Sequence, residues 1–110
     1  KGALNALTQA LARLLAPEIR VNAVLPGLID SGWFADGGVK AETWEKLKEG
    51  YARASALGQY CSPEDVARSI TWLALDATMN TGELLTVDGG GQLWGETWTT
   101  GKPDYFKTGD

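Results

Sequence analysis

A Pro-Gly pair directly after an alternating apolar segment is the first place in this chain where residue type and spacing suggest a site. It opens the hexapeptide Pro26-Gly27-Leu28-Ile29-Asp30-Ser31. Pro26 has a fixed φ and no amide donor, and Gly27 lets the backbone turn sharply and lie close to a ligand. In open α/β sheets ligands bind beyond the carboxyl ends of the strands, which is where this hexapeptide falls. The amide and carbonyl of Ile29 are suited to bracket a planar carboxamide, with the Ser31 hydroxyl meeting a second polar group. A plain turn accounts for the same residues, so on spacing alone both readings stand.

Other chemistry is thinly represented. The chain has no histidine, which removes His-based triads, imidazole switching and His metal sites. Its one cysteine, Cys61, permits neither an internal disulfide nor a Cys-cluster metal centre, so no metal site is expected. Cys61 reads as a buried or half-buried inert thiol, compatible with a reducing, cytoplasmic compartment. Asp30, Asp36 and Asp88 stand as isolated acids, and Asp88 before Gly89-Gly90-Gly91 reads as a structural hydrogen-bonding residue at a strand end.

The elements that must position the hexapeptide follow from periodicity. Residues 2 to 15 are rich in Ala and Leu, with Leu4, Leu7, Leu11 and Leu14 in one stripe, and Pro17 stops the helix. Residues 19 to 25 alternate Ile19, Val21, Ala23 and Leu25 on one face with Val24 on the other, as in a strand covered on both sides. Residues 28 to 39 read as loop, and 40 to 55 as an exposed amphipathic helix burying Trp44, Leu47 and Tyr51. On that helix Glu42/Lys46 and Glu49/Arg53 are spaced for i,i+4 pairing. Ser62-Pro63-Glu64-Asp65 supplies an N-cap hydroxyl, a first-turn proline and first-turn acids, predicting a helix over 63–75. Residues 84 to 87 form a second short buried strand. Two strands joined by a helical crossover imply parallel pairing, yet two strands do not make a domain. The chain opens on Lys1 and its only methionine is Met79, so a processed chain or a piece of a longer one is expected.

The 110 residues are 44% hydrophobic and 22% charged, which argues for a folded chain. A net charge of −4 disfavours nucleic-acid and anionic-membrane partners, and no apolar run is long enough for a membrane span.

Taken together, four motifs resemble the second half of the classical short-chain dehydrogenases/reductases. They are Lys1-Gly2-Ala3-Leu4 with Ile19 through Ile29, then Ser62-Pro63-Glu64-Asp65-Val66-Ala67, then Thr81-Gly82, and last Val87-Asp88-Gly89-Gly90. The resemblance covers residues 1–91, with 92–110 as a C-terminal tail carrying Trp94, Trp98, Tyr105 and Phe106. It implies an α/β fold, the C-terminal half of a Rossmann-type doubly wound parallel sheet, with two strands and about three helices here. It implies an oxidoreductase moving hydride between NAD or NADP and a small-molecule carbonyl or alcohol substrate.

By the same resemblance Lys1 falls on the lysine of the Tyr-x-x-x-Lys motif. There it binds the nicotinamide ribose and lowers the pKa of a tyrosine one helical turn earlier, which lies outside these residues. Pro26 and Gly27 shape the nicotinamide pocket, Ile29 holds the carboxamide through its backbone, and Ser31 stands where threonine is usual. Residues 30–56 supply the substrate lid, with Trp33 and Phe34 either lining substrate or simply packing. The family implies a homo-oligomer, to which the leucine stripe contributes if it is not core. Alone, residues 1–110 are expected to be inactive and to associate through uncovered apolar faces. The rival reading is a non-catalytic oligomerisation or binding module derived from the same fold.

Overall fold

The computed structural model describes residues 1–93. The aromatic tail residues Trp94, Trp98, Tyr105 and Phe106 lie outside them. The first element is helix α1, Gly2–Leu15, ended before Pro17 as expected. Only Thr8 and Ala12 are buried on it, while Leu4, Leu7 and Leu14 face outward, so the leucine stripe enters no core among the described residues. Ala12 instead packs against Gly82, where an added Cβ would lie 3.5 Å from the Ala12 Cβ. Gly82 has φ +74°, which also favours glycine there.

Strands β1 (Ala23–Pro26) and β2 (Leu84–Val87) pair in parallel, with Ala23 opposite Leu84 and Pro26 opposite Val87. The regular strand therefore begins at Ala23 rather than Ile19. The stretch before it is held mainly by side chains instead of a ladder. Asn22 donates through Nδ2 to the Asn80 carbonyl at 2.8 Å and accepts the Glu83 amide on Oδ1 at 2.9 Å. The Val21 amide donates to the Thr81 hydroxyl at 3.1 Å, and the Gly82 amide donates back to the Val21 carbonyl at 2.7 Å.

Between the strands the chain forms α2 (Trp33–Asp36), α3 (Ala41–Ala54) and α4 (Pro63–Thr71). The short helix α2 falls where a plain loop was expected. Helix α4 contacts both strands, and α2 contacts α3. At the start of α4 the Ser62 hydroxyl accepts the Asp65 amide at 3.2 Å. The Asp65 carboxylate in turn accepts the Ser62 amide at 2.8 Å, closing a capping box. The expected helix over 63–75 continues past Thr71 as a wider π-helical turn, Trp72–Asp76. That turn leaves carbonyls without a normal helical donor, and Arg20 supplies one from the other side of the chain. Its guanidinium donates to the carbonyls of Leu73 (2.8 Å), Asn80 (3.1 Å) and Ala74 (3.1 Å).

The buried apolar residues are Ala12, Trp44, Cys61, Leu73 and Ala77, and no large side chain among the described residues is completely buried. Such a thin core fits one part of an α/β layer structure whose sheet needs further strands.

Candidate functional site

The loop after β1 is built into the structure on one edge and left open on the other. The Cys61 amide donates to the Leu28 carbonyl at 2.8 Å, and the Asp30 amide donates to the Cys61 carbonyl at 2.9 Å. These two bonds form a parallel bridge between Ile29 and Cys61. In such a bridge the flanking residues turn their polar groups to the partner, so the N–H and C=O of Ile29 itself point the opposite way. The Ser31 amide donates to the Ile29 carbonyl at 3.0 Å, closing a three-residue turn centred on Asp30. That carbonyl keeps a second lone pair, and the Ile29 amide has no acceptor among the described residues. Ser31 is half-buried beside it.

Gly27 has a different reason for being glycine than a sharp turn, since its φ is not in the left-handed region. A Cβ there would sit 2.8 Å from the Asp88 Cβ and collide with the Tyr51 hydroxyl. Tyr51, one of the three residues expected on the inner face of α3, is wedged between Gly27 and Gly91 and donates to the Asp88 carbonyl at 2.8 Å. Burial pushes the Tyr51 phenol up. Asp88 holds the chain after β2 by accepting the amides of Gly90 and Gln92, both at 2.8 Å, which is the structural role expected of it. Pro26 is the exposed last residue of β1.

The inner face of α3 departs from expectation in one respect. Trp44 is buried, but Leu47 is 50% exposed, and Lys48 is buried in its place. A lysine can occupy that position because its charge is matched there. Lys48 Nζ lies 2.8 Å from Glu45 and 3.2 Å from Asp30, and 5.5 Å from the centre of the Tyr60 ring. Its pKa is raised, first by the hydrogen bond to Glu45, with burial opposing and Asp30 adding to the rise. Asp30 is thus not an isolated acid: it accepts Trp44 Nε1 at 3.1 Å on one oxygen and Lys48 on the other. The signal that could have found it is Trp44 and Lys48 one turn apart on α3, two donors on one face. Elsewhere on α3 the Glu42–Lys46 pair forms at 2.7 Å in solvent, while Glu49 and Arg53 make no such pair.

Phe34 and Trp33 differ in how they pack. The Phe34 ring stacks on Trp44 at 4.3 Å between centroids, so it docks α2 onto α3. Trp33 packs edge-on against Phe34 at 5.0 Å and is 73% exposed. Cys61 is buried, and its thiol donates to the Val87 carbonyl at 3.1 Å. Burial raises its pKa, which keeps it protonated and unreactive.

Lys1 stands at the N-terminus of α1, exposed, with its carbonyl accepting the Asn5 amide at 3.1 Å. No hydrogen bond or ion pair joins its side chain to the loop after β1. Pro26, Gly27, Ile29 and Ser31 thus lie on one stretch of chain after β1, with Trp33 and Phe34 on the next element. Among the described residues no cluster of acids and cysteine could hold a metal ion, and no helix is long and apolar enough to cross a membrane.

Known proteins share this fold. Residues 1–92 match the family described as enoyl-(acyl carrier protein) reductase. The chain is 37% identical over 93 residues to a short-chain dehydrogenase/reductase homologue of Bacillus subtilis, covering 84% of this chain and 66% of that protein. It is 37% identical over 92 residues to a 3-oxoacyl-acyl-carrier-protein reductase of Aquifex aeolicus, covering 82% of this chain and 35% of that protein. Among solved structures it resembles a short-chain dehydrogenase/reductase of unknown function from Caenorhabditis elegans, solved with cofactor. The TM-score is 0.80 at 30% identity, over 88% of this chain and 38% of the other. A small-chain dehydrogenase solved in complex with NADPH gives a TM-score of 0.75 at 32% identity, over 84% and 41% of the two chains. The chain thus spans about a third of the reductase it matches, and its parallel strands and helices are part of a Rossmann-like α/β fold. With four motifs in order, the parallel pair they flank and a match over residues 1–92, the chain belongs to the short-chain dehydrogenase/reductase family.

Proposed function

We propose that this chain is the C-terminal half of a domain that transfers hydride between NAD or NADP and a carbonyl or alcohol carbon. The observation that carries the reading is the outward edge of Ile29, a peptide N–H and C=O presented together beyond the carboxyl end of β1. That edge fits a carboxamide, which offers one acceptor and one donor in a plane. Bound there, a nicotinamide supplies the hydride or takes it up. Ile29 fixes the carboxamide, Ser31 adds a hydroxyl at its side, and Pro26 and Gly27 shape the adjoining wall. Lys1 binds the ribose and, by its charge, holds down the pKa of a tyrosine one helical turn earlier in the complete protein.

The segment 30–56 covers substrate, with the exposed Trp33 as its contact and Phe34 as the residue that seats the lid. The relative named as a 3-oxoacyl-acyl-carrier-protein reductase supports a carbonyl as the group reduced, and the aromatic Trp33, Phe34 and Trp44 support an organic substrate face. The exposed Leu4, Leu7 and Leu14 support a homo-oligomer in which α1 is covered. Residues 1–110 by themselves are inactive in this reading, and the complete enzyme works in the cytoplasm.

The test is hydride transfer by the full-length protein, followed at the reduced-nicotinamide absorbance with a panel of carbonyl substrates. Lys1→Ala should lower kcat/KM by about 100-fold or more, the size expected when an acid–base group loses its tuning. Full activity in Lys1→Ala would overturn the role given to Lys1, and full-length protein that binds neither NADH nor NADPH would overturn the reading in favour of a non-catalytic module.

A further inference from the structure

Asp30 sits at the centre of the turn that aims the two groups assigned to the nicotinamide. Its own amide is committed to Cys61, and the turn closes around it from the Ser31 amide to the Ile29 carbonyl. The direction of the Ile29 carbonyl and the start of Ser31 therefore both depend on the φ and ψ of this one residue. Its carboxylate is gripped from the lid helix. Trp44 Nε1 holds one oxygen at 3.1 Å, and Lys48 Nζ holds the other at 3.2 Å.

Both grips are themselves fixed. Trp44 is buried under the Phe34 ring, and the Lys48 side chain is 10% exposed, with Nζ also tied to Glu45. Lys48 flanks the second strand of the bridge as well, because its Nζ lies 5.5 Å from the ring of Tyr60, the residue before Cys61. Bonds of this kind, a charged donor and an indole on a single carboxylate, restrict a side chain far more than one neutral hydrogen bond does.

We propose that Asp30 is a positioning residue: α3, through Trp44 and Lys48, holds the Asp30 turn so that the Ile29 peptide edge and the Ser31 hydroxyl stay aimed at the nicotinamide. The lid helix and the cofactor's reactive end are then mechanically one unit. A lid helix displaced by substrate moves the nicotinamide contacts, and a bound nicotinamide steadies the lid. This inference rests on the assignment of Ile29 to the carboxamide.

The test separates the nicotinamide end from the rest of the nucleotide. In the full-length protein, affinity is measured for whichever of NADH or NADPH binds, and for the matching ADP-ribose or 2′-phospho-ADP-ribose, which lack the nicotinamide. Asp30→Ala and Lys48→Met should weaken the dinucleotide about tenfold, the scale of one lost charged hydrogen bond, and leave the ADP-ribose compound unchanged. Asp30→Asn, which can still accept from Trp44, should fall between them and the wild type. Trp44→Phe keeps the stacking ring and serves if Asp30→Ala does not fold.

Equal weakening of both ligands would mean a general structural role and would overturn the proposal, as would no weakening of either. Ile29→Pro, which removes the peptide N–H, is the control on the underlying assignment. If it selectively weakens the dinucleotide while the Asp30 and Lys48 variants do not, only the positioning role falls. If it changes neither affinity, the carboxamide assignment falls and the positioning role falls with it.

Discussion

Tyr51 occupies, with its hydroxyl, the space in which a side chain on Gly27 would begin. Gly27 lies just after β1 and Tyr51 near the end of α3, so this contact seats α3 on the end of the sheet. Gly27→Ala should destabilise the full-length protein by about 2 kcal/mol, typical of overpacking a filled site. Tyr51→Phe removes only the bond to the Asp88 carbonyl and should cost about 1 kcal/mol. Urea unfolding of the two variants, and of Gly27→Ala in a Tyr51→Ala background, checks the cause. The glycine substitution should be only partly relieved once the phenol is gone, because its Cβ still meets the Asp88 Cβ at 2.8 Å.

Arg20 caps the π-helical turn at the Leu73 and Ala74 carbonyls and ties it to the Asn80 carbonyl. Arg20→Ala should cost about 2–4 kcal/mol, because charged hydrogen bonds are lost and the two carbonyls of the turn lose their side-chain donor. Arg20→Lys should recover only part of this, since an ammonium cannot span carbonyls on two segments as a planar fork does. Thermal unfolding of both variants is the measurement, and equal stability of the two would refute the capping role.

Stability should have an alkaline limb set by α3. Lys48 and Tyr51 both have folded-state pKa values raised above their ordinary ones. Their contributions are therefore complete below about pH 10 and are lost as pH rises through the folded values. Lys48→Met should flatten that limb in a pH series of unfolding midpoints.

The acid limb has the opposite sign. The Ser62 amide, and then its hydroxyl, hold the Asp65 carboxyl below its usual range. Its contribution is present above about pH 4 and is lost as pH falls through the lowered folded value. Ser62→Ala should cost about 1 kcal/mol at neutral pH and shrink the acid dependence.

Cys61 should resist thiol reagents in the native protein at pH 8. It is buried, it donates to the Val87 carbonyl, and burial raises its pKa. An aromatic disulfide should label Cys61, followed by peptide mapping, only in denaturant. Rapid native labelling would contradict this account.

What could be read from the sequence was what is local. Pro17 marks the end of α1, Ser62-Pro63-Glu64-Asp65 marks the capping box, and the apolar runs give both strands and their parallel pairing. What could not be read depends on partners far along the chain. The shared face of Trp44, Leu47 and Tyr51 put Leu47 inward, whereas Leu47 is 50% exposed and Lys48 is buried against Glu45 and Asp30. The regular strand starts late because Asn22 and Val21 meet the residues at 80 to 83 through side chains and a single amide. The π-helical turn has no local signature at all, since the residue that satisfies it is Arg20. At the candidate site, the position of Ile29 and Ser31 just past a strand was legible. The hold on Asp30 became visible only with α3 in place.

The parallel pairing of Ala23 with Leu84 also bears on how this half of the fold can change over generations. The two strands meet only after everything between them has been laid down, so the sheet pays the entropy of a long loop whatever that loop contains. Doubling the length of a flexible stretch adds only about 0.6 kcal/mol to that cost. The region around Gly37 and Gly38, between α2 and α3, can therefore gain or lose residues at little expense, while the contacts of Tyr51 and Lys48 keep α3 in register. Length changes there alter the connection between α2 and α3 without touching the Ile29–Cys61 bridge or the β1–β2 pairing.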